Sequence, residues 1–372
     1  MRILFYICEE GFEKYINNVA QQHQILICTE SSLLIDENEF DYLIIMTKDI
    51  DKSISIQEEL LNLSIPEQKI LRYCYFEKYP LQSPVELFHQ KKSSCRYDVL
   101  LFGMSHAYGG CIEPLFKENI YKFAAPSMDL YYHYKVLQDI SNIYPMKSVK
   151  KVIFELPYYT FNYDLSKCKH TFIQRMNYYY YYEDYHHYGK DYLERKYIDE
   201  FECLNKLCME PVYGVRKVQL DTSLPSNIAV DRLKKLYWKL RYAFMKKEGH
   251  IWTEEEKQQL KRKHHIWYKK YQDTIEENTR IWEKIKEILS VWENIQVYVI
   301  VFPFSPDFIK FHEKAILEMK KLFEEHLNIP AENVLDCFYE YSTQTEYFLD
   351  ECHLNLLGAY KFSKRMDKWL QR

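Results

Sequence analysis

Glycine is scarce in this chain, with 8 residues among 372. The first strand-like run is followed by Glu9-Glu10-Gly11-Phe12 instead of a glycine-rich loop. Without glycines the backbone cannot approach a pyrophosphate closely, and two carboxylates would repel it. This argues against a nucleotide-dependent enzyme and for a cofactor-free structural or docking role at the N-terminus. Clustered cysteine is missing too. The ten cysteines (Cys8, Cys28, Cys74, Cys95, Cys111, Cys168, Cys203, Cys208, Cys337 and Cys352) are scattered, most of them in apolar runs, and no CxxC pair occurs. They read as small buried hydrophobes in a reducing compartment. A zinc site needs clustered ligands, and only His186, His187 and Cys203 come near that, so no metal is expected. No apolar stretch approaches the ~20 residues of a membrane span. The N-terminal apolar run is shorter than a signal-peptide core and lacks a cleavage pattern, so a cytoplasmic location is expected. Charge of one sign is missing as well: 50 basic and 54 acidic residues leave a net −4, which argues against an electrostatic nucleic-acid binder.

What is abundant is apolar and aromatic surface. Hydrophobic residues make up 47% of the chain and aromatics 17%, with 35 tyrosines whose hydroxyls each need a partner or water. The length suggests two domains, or one with a large insertion. Residues 2–8, 24–28, 41–46 and 69–74 are short β-prone runs, separated by helical stretches at 11–22 and from Met46 to about Leu63. Strands alternating with helices indicate a small parallel α/β unit. Lys91-Lys-Ser-Ser-Cys95 reads as a linker, and Tyr97 to Phe102, Val149 to Leu156 and Val297 to Phe302 supply the buried strands of a second α/β series.

About 140 mostly helical residues separate the last two of these strands, including the tyrosine run Tyr178 to Tyr182. From Arg232 to Lys270 there are 13 Lys/Arg against four Asp/Glu, interleaved with Tyr237, Trp238, Tyr242, Phe244, Trp252, Trp267 and Tyr268. The stretch reads either as a basic aromatic surface for an anionic or sugar ligand or as an amphipathic helical pair with a solvated basic face, and the second is favoured.

Two segments carry chemistry. The strand Asp98 to Phe102 runs into Gly103-Met104-Ser105-His106-Ala107-Tyr108-Gly109-Gly110. A serine on the turn between a buried strand and a helix sits at the carboxyl edge of the sheet. Its Oγ faces the crevice there, and nearby N–H groups can hold an oxyanion. Near the other end lies Phe348-Leu-Asp350-Glu-Cys-His353-Leu-Asn355-Leu-Leu-Gly358-Ala-Tyr-Lys-Phe362. Asp and His three apart in a turn can meet, the carboxylate accepting from Nδ1–H and leaving Nε2 free for the serine.

Together these segments resemble the first and last motif blocks of the SGNH (GDSL-like) hydrolase superfamily, and they stand in that family's chain order. The likeness extends to bacterial proteins related to the D-alanyl transfer protein of teichoic acid synthesis and to polysaccharide O-acetyltransferases. Asn119 to Tyr134 occupies the place of the second block and Val152 to Asp164 that of the third. Tyr271-x-x-Thr274-x-x-Glu277-Asn278 lies on a helix before Val299-Ile-Val-Phe-Pro303, and Phe308 to Asp336 supplies the penultimate helix and strand. The resemblance covers about residues 95–372. It implies an SGNH-type, flavodoxin-like parallel sheet with a helical insertion at about 165–290. The small α/β domain before it, residues 1–90, looks like the Rossmann-like domains attached to some bacterial sugar-processing enzymes, without their glycine loop.

The resemblance implies a triad of Ser105, Asp350 and His353, with Ala125, Asn162 and Tyr158 as oxyanion or substrate-binding candidates and no cofactor. The chain departs from the family where Leu156-Pro157 stands in place of Gly-x-Asn and where Ala124 or Ala125 replaces the second-block Gly. The expected activity is a serine esterase or O-acyltransferase acting on an acylated sugar or cell-envelope glycan precursor. The alternatives are a general small-ester or lipid esterase and a catalytically silent SGNH scaffold that binds a glycan or protein partner.

Overall fold

The computed structural model describes residues 1–73 apart from 9, 13–15, 18, 21–22, 30–35 and 48, residues 84–167 apart from 92–95 and 144–147, and residues 272–372. Between 168 and 271 it describes 182, 184, 186–187, 236–238, 240–242 and 253. Most of the expected helical insertion, including nearly all of the tyrosine run and of the basic aromatic stretch, therefore lies outside the described residues. The chain divides into two compact units, Met1–Ser83 with Phe172–Leu220, and Pro84–Thr171 with Asp221–Arg372.

The first unit carries a four-stranded, wholly parallel sheet. Its strands are β1 (Arg2–Ile7), β2 (Gln24–Thr29), β3 (Tyr42–Met46) and β4 (Ile70–Arg72), in the order β2-β1-β3-β4, with helix α1 (Ile50–Asn62) between β3 and β4. β1 and β3 are near-continuous apolar runs because a parallel sheet buries both of its faces. Leu4, Tyr6, Leu43 and Ile45 meet Ile56 and Leu60 of α1 in one core.

The second unit begins with helix α2 (Pro84–Lys91) and holds a five-stranded parallel sheet. Its elements are β5 (Val99–Gly103), α3 (Ser105–Gly110), β6 (Ile120–Ala124), α4 (Leu130–Ile143), β7 (Lys151–Glu155), α5 (Ile275–Ser290), β8 (Gln296–Val301), α6 (Pro306–Leu327), β9 (Val334–Asp336) and α7 (Leu356–Leu370). The strand order is β6-β5-β7-β8-β9. The boundary falls earlier than the linker at 91–95 implies. Phe88 of α2 packs 4.9 Å from Tyr121 and 5.0 Å from Phe123 of β6, so residues 84–91 belong with the second sheet.

Alternation along β5 feeds two cores. Val99 and Leu101 join Ile153, Ile300 and the buried face of α7. Phe102 points to the other face, where it stacks on its cross-strand partners Phe123 (5.1 Å, 23°) and Phe154 (5.0 Å, 20°). Trp282 of α5 meets Phe154 edge-on at 5.2 Å and donates its indole N–H to the Leu327 carbonyl at 2.7 Å. With helices on both faces, the chain leaves β5 toward β6 on one side and later returns to β7 on the other. The carboxyl end of β5 is thus a topological switch point, where open α/β sheets form their crevices.

Candidate active site

Gly103 ends β5, and the next residues, Met104 and Ser105, make the turn into α3. A Cβ on Gly103 would stand 2.6 Å from Ala107 Cβ and 2.9 Å from Glu155 Oε2, so only glycine fits the turn. Ser105 Oγ lies 2.7 Å from His353 Nε2. His353 Nδ1 lies 2.8 and 2.7 Å from the two Asp350 carboxylate oxygens. With Nδ1–H donating to the Asp350 carboxylate, Nε2 is left to accept from the serine hydroxyl, the division of roles a Ser-His-Asp relay needs.

The loop holding Asp350 and His353 is built by its own sequence. Asp350 Oδ1 also accepts from the backbone N–H groups of Cys352 and His353, at 3.0 and 2.8 Å. Phe348 and Leu354 bridge antiparallel across the loop, and the Leu349 N–H donates to the His353 carbonyl at 2.8 Å. Asn355 then caps α7: its Oδ1 accepts from Gly358 N–H at 3.0 Å while its Nδ2 donates to the Glu346 carbonyl at 2.7 Å. A Cβ at Gly358 would run into the Tyr347 carbonyl, which accounts for glycine there.

Burial and partners set the charges. Burial pushes the Asp350 carboxyl up, but the His353 hydrogen bond and charge, with the two backbone N–H groups, outweigh it and hold the acid at about 2. Burial pulls the His353 imidazole down, but the hydrogen bond and charge of Asp350, with smaller contributions from Glu351 and Glu155, raise it above its ordinary value. The Cys352 thiol is pushed well up, first by burial and then by Asp350 and Glu351.

Two neighbours of the serine carry interactions that the residue pattern did not single out. Glu155 ends β7 with its carboxylate fully buried; it accepts from Met104 N–H at 2.6 Å and lies 3.0 Å from His106 Nδ1. The His106 ring sits 5.3 Å from that of His353, inclined by 30°. A carboxylate closing the apolar run Val-Ile-Phe of β7 was the available signal, because a buried charge needs a partner.

The other candidates take different places. Ala125 follows Ala124, the register partner of Gly103, and so lies at the same sheet edge as the serine turn. Asn162 is buried in a 3-10 turn, Thr160–Asn162, and its Oδ1 has no hydrogen-bond partner among the described residues. That segment is tied to the loop after β6, Tyr163 Oη donating to the Ser127 carbonyl at 3.0 Å and Leu165 N–H to Asp129 Oδ2 at 2.9 Å. Tyr158 does not join the serine: its hydroxyl donates to Asp336 of β9, 2.8 and 2.7 Å from the two oxygens, and its ring stacks on Phe338 at 4.7 Å. Leu156-Pro157 supplies no backbone donor, because the Leu156 N–H bonds the Ile300 carbonyl at 3.1 Å and proline has none.

No family model and no curated protein matches the chain. Among the described residues, no helix is long and apolar enough to cross a membrane.

Proposed function

We propose that the second unit is an SGNH-type (flavodoxin-like) serine esterase or O-acyltransferase whose substrate is an acylated carbohydrate or a cell-envelope glycan precursor. The observation that carries the reading is the unbroken hydrogen-bonded chain Ser105 Oγ, His353 Nε2, His353 Nδ1, Asp350, placed at the switch point of a parallel sheet. The strand order 2-1-3-4-5 and the order of the motif blocks are in keeping with it. The carbohydrate assignment rests on the likeness to envelope acyltransferases, and a cytoplasmic version would act on precursors before export or on a glycosylated protein.

In this reading His353 Nε2 takes the hydroxyl proton as Ser105 Oγ bonds to the acyl carbon. The oxyanion forms against the backbone N–H of Ser105 and a second-block N–H at Ala125. Its collapse releases the alcohol, which receives the proton from His353. Water or a sugar hydroxyl then repeats the cycle in reverse and takes the acyl group. The third-block donor is absent at Leu156-Pro157, and losing one oxyanion donor lowers kcat by ~10²–10³. Acylation of Ser105 and release of the acyl group both pass through an oxyanion, so both are expected to be slow.

That missing donor is also what favours the second reading, a silent SGNH scaffold that binds a glycan or protein partner. Fluorophosphonate labelling with mass mapping separates the two. An adduct on Ser105 in the wild type, gone in Ser105→Ala and His353→Ala, supports an activated nucleophile and directs attention to acetylated sugars as substrates. Folded wild-type protein that takes no label sinks the esterase reading, and glycan binding becomes the next assay.

A further inference from the structure

We propose that the same crevice is a soft-metal site: His106, Cys352 and His353 together bind a thiophilic divalent cation such as zinc, and the bound ion silences Ser105. One ligand atom from each of the three residues lies within 4.8 Å of those of the other two. Cys352 is a free thiol whose Sγ stands 3.5 Å from His353 Nδ1, and the two imidazole rings face each other at 5.3 Å. Two imidazoles and one sulfur suit zinc and its neighbours better than calcium or magnesium.

The surroundings are also those of a metal site. Each imidazole is oriented by a carboxylate on its Nδ1, His106 by Glu155 at 3.0 Å and His353 by Asp350 at 2.7 Å. Such a pair fixes the His106 ring and leaves Nε2 as its ligand atom, while the His353 nitrogen nearest the Cys352 sulfur is Nδ1 itself. The charges agree. Asp350 and Glu155, hydrogen-bonded to the two imidazoles, attract a dication, whose arrival displaces the Cys352 thiol proton to solvent. Three protein ligands leave one tetrahedral position for water or for Ser105 Oγ.

Silencing follows whichever nitrogen of His353 the ion takes. Bound to Nε2, the metal removes the lone pair that accepts the Ser105 proton. Bound to Nδ1, it displaces the proton held by Asp350 and leaves the base in the wrong tautomer. Metal binding stands without any assumption about catalysis, whereas the silencing rests on the serine-hydrolase reading.

The test is a cobalt(II) titration of the full chain, following the thiolate-to-cobalt charge-transfer absorption, with zinc as competitor. The band is expected in the wild type and in Ser105→Ala. It should be lost in Cys352→Ser, and in His106→Gln affinity should fall by about tenfold or more. In parallel, fluorophosphonate labelling of the wild type should fall on adding zinc and return with EDTA. The zinc-dependent fold-loss, taken against each variant's own metal-free rate, should be much smaller in Cys352→Ser. Folded wild type without a cobalt band, or a band that survives in Cys352→Ser, overturns the site. A band with labelling indifferent to zinc overturns the silencing. A band in protein that takes no label even in EDTA upholds metal binding and counts against the hydrolase reading alone.

Discussion

His133, on α4, is buried with no hydrogen-bond partner at Nδ1 among the described residues, edge-on to Phe102, and burial pulls its imidazole from 6.5 down to about 3. The folded protein therefore holds it neutral, while the unfolded chain takes up a proton below about 6.5. Stability from this group is full above 6.5 and falls as pH drops toward 3, by as much as ~1.4 kcal/mol per pH unit. Urea unfolding at a series of pH values should show that slope in the wild type and a slope smaller by one proton in His133→Leu. At Gly103 the limit is steric. Gly103→Ala presses a methyl against Ala107 and the Glu155 carboxylate, and such overpacking typically costs about 1–3 kcal/mol. The urea midpoint should drop, and labelling of Ser105 should fall with it because the same turn carries the nucleophile.

The elements hold together through a few contacts between them. Asn278 of α5 donates from Nδ2 to the carbonyls of Phe161 and Tyr163, both at 2.9 Å, fastening the helix to the turn after β7. Asn278→Leu removes both of these buried hydrogen bonds, which costs about 1–3 kcal/mol; hydrogen exchange should show the 160–165 segment loosening before the sheet does. The Phe123-Phe102-Phe154 ladder is larger, and Phe102→Ala is expected to lower stability by about 3–5 kcal/mol in denaturant melts. Much of this scaffold was legible beforehand. The apolar runs at 2–8 and 41–46 became β1 and β3 because a two-sided parallel sheet demands such runs, and those at 24–28 and 297–302 became β2 and β8. β6 was harder to see. Ile-Tyr-Lys-Phe-Ala mixes a lysine and a tyrosine into five residues, as an edge strand allows, so periodicity did not reveal it. Asn278, noted only as part of a helix motif, has its structural role set by two carbonyls more than a hundred positions away. Glu155 and His106 were hidden for the same reason: they meet across 49 residues, and sequence spacing carries no trace of that pairing.

The molecule as a whole consists of two units, each with its own parallel sheet and apolar core. All six tryptophans, from Trp238 to Trp369, belong to the second unit. Tryptophan fluorescence thus follows that unit alone, while far-ultraviolet circular dichroism follows both. If the units melt separately, the two urea transitions will fail to coincide; superimposed transitions would mean a single cooperative structure. The hydrogen bond between Ser105 and His353 spans 248 positions. At ~5–20 residues per second, roughly 12 to 50 seconds of translation separate Ser105 from His353. On the serine-hydrolase reading the nascent chain carries an ordinary serine throughout that interval, and the synthesis of residues 350–353 arms it. A product cut short before Asp350 is then inert, so quality control of the message is at the same time control over where the proposed chemistry first appears.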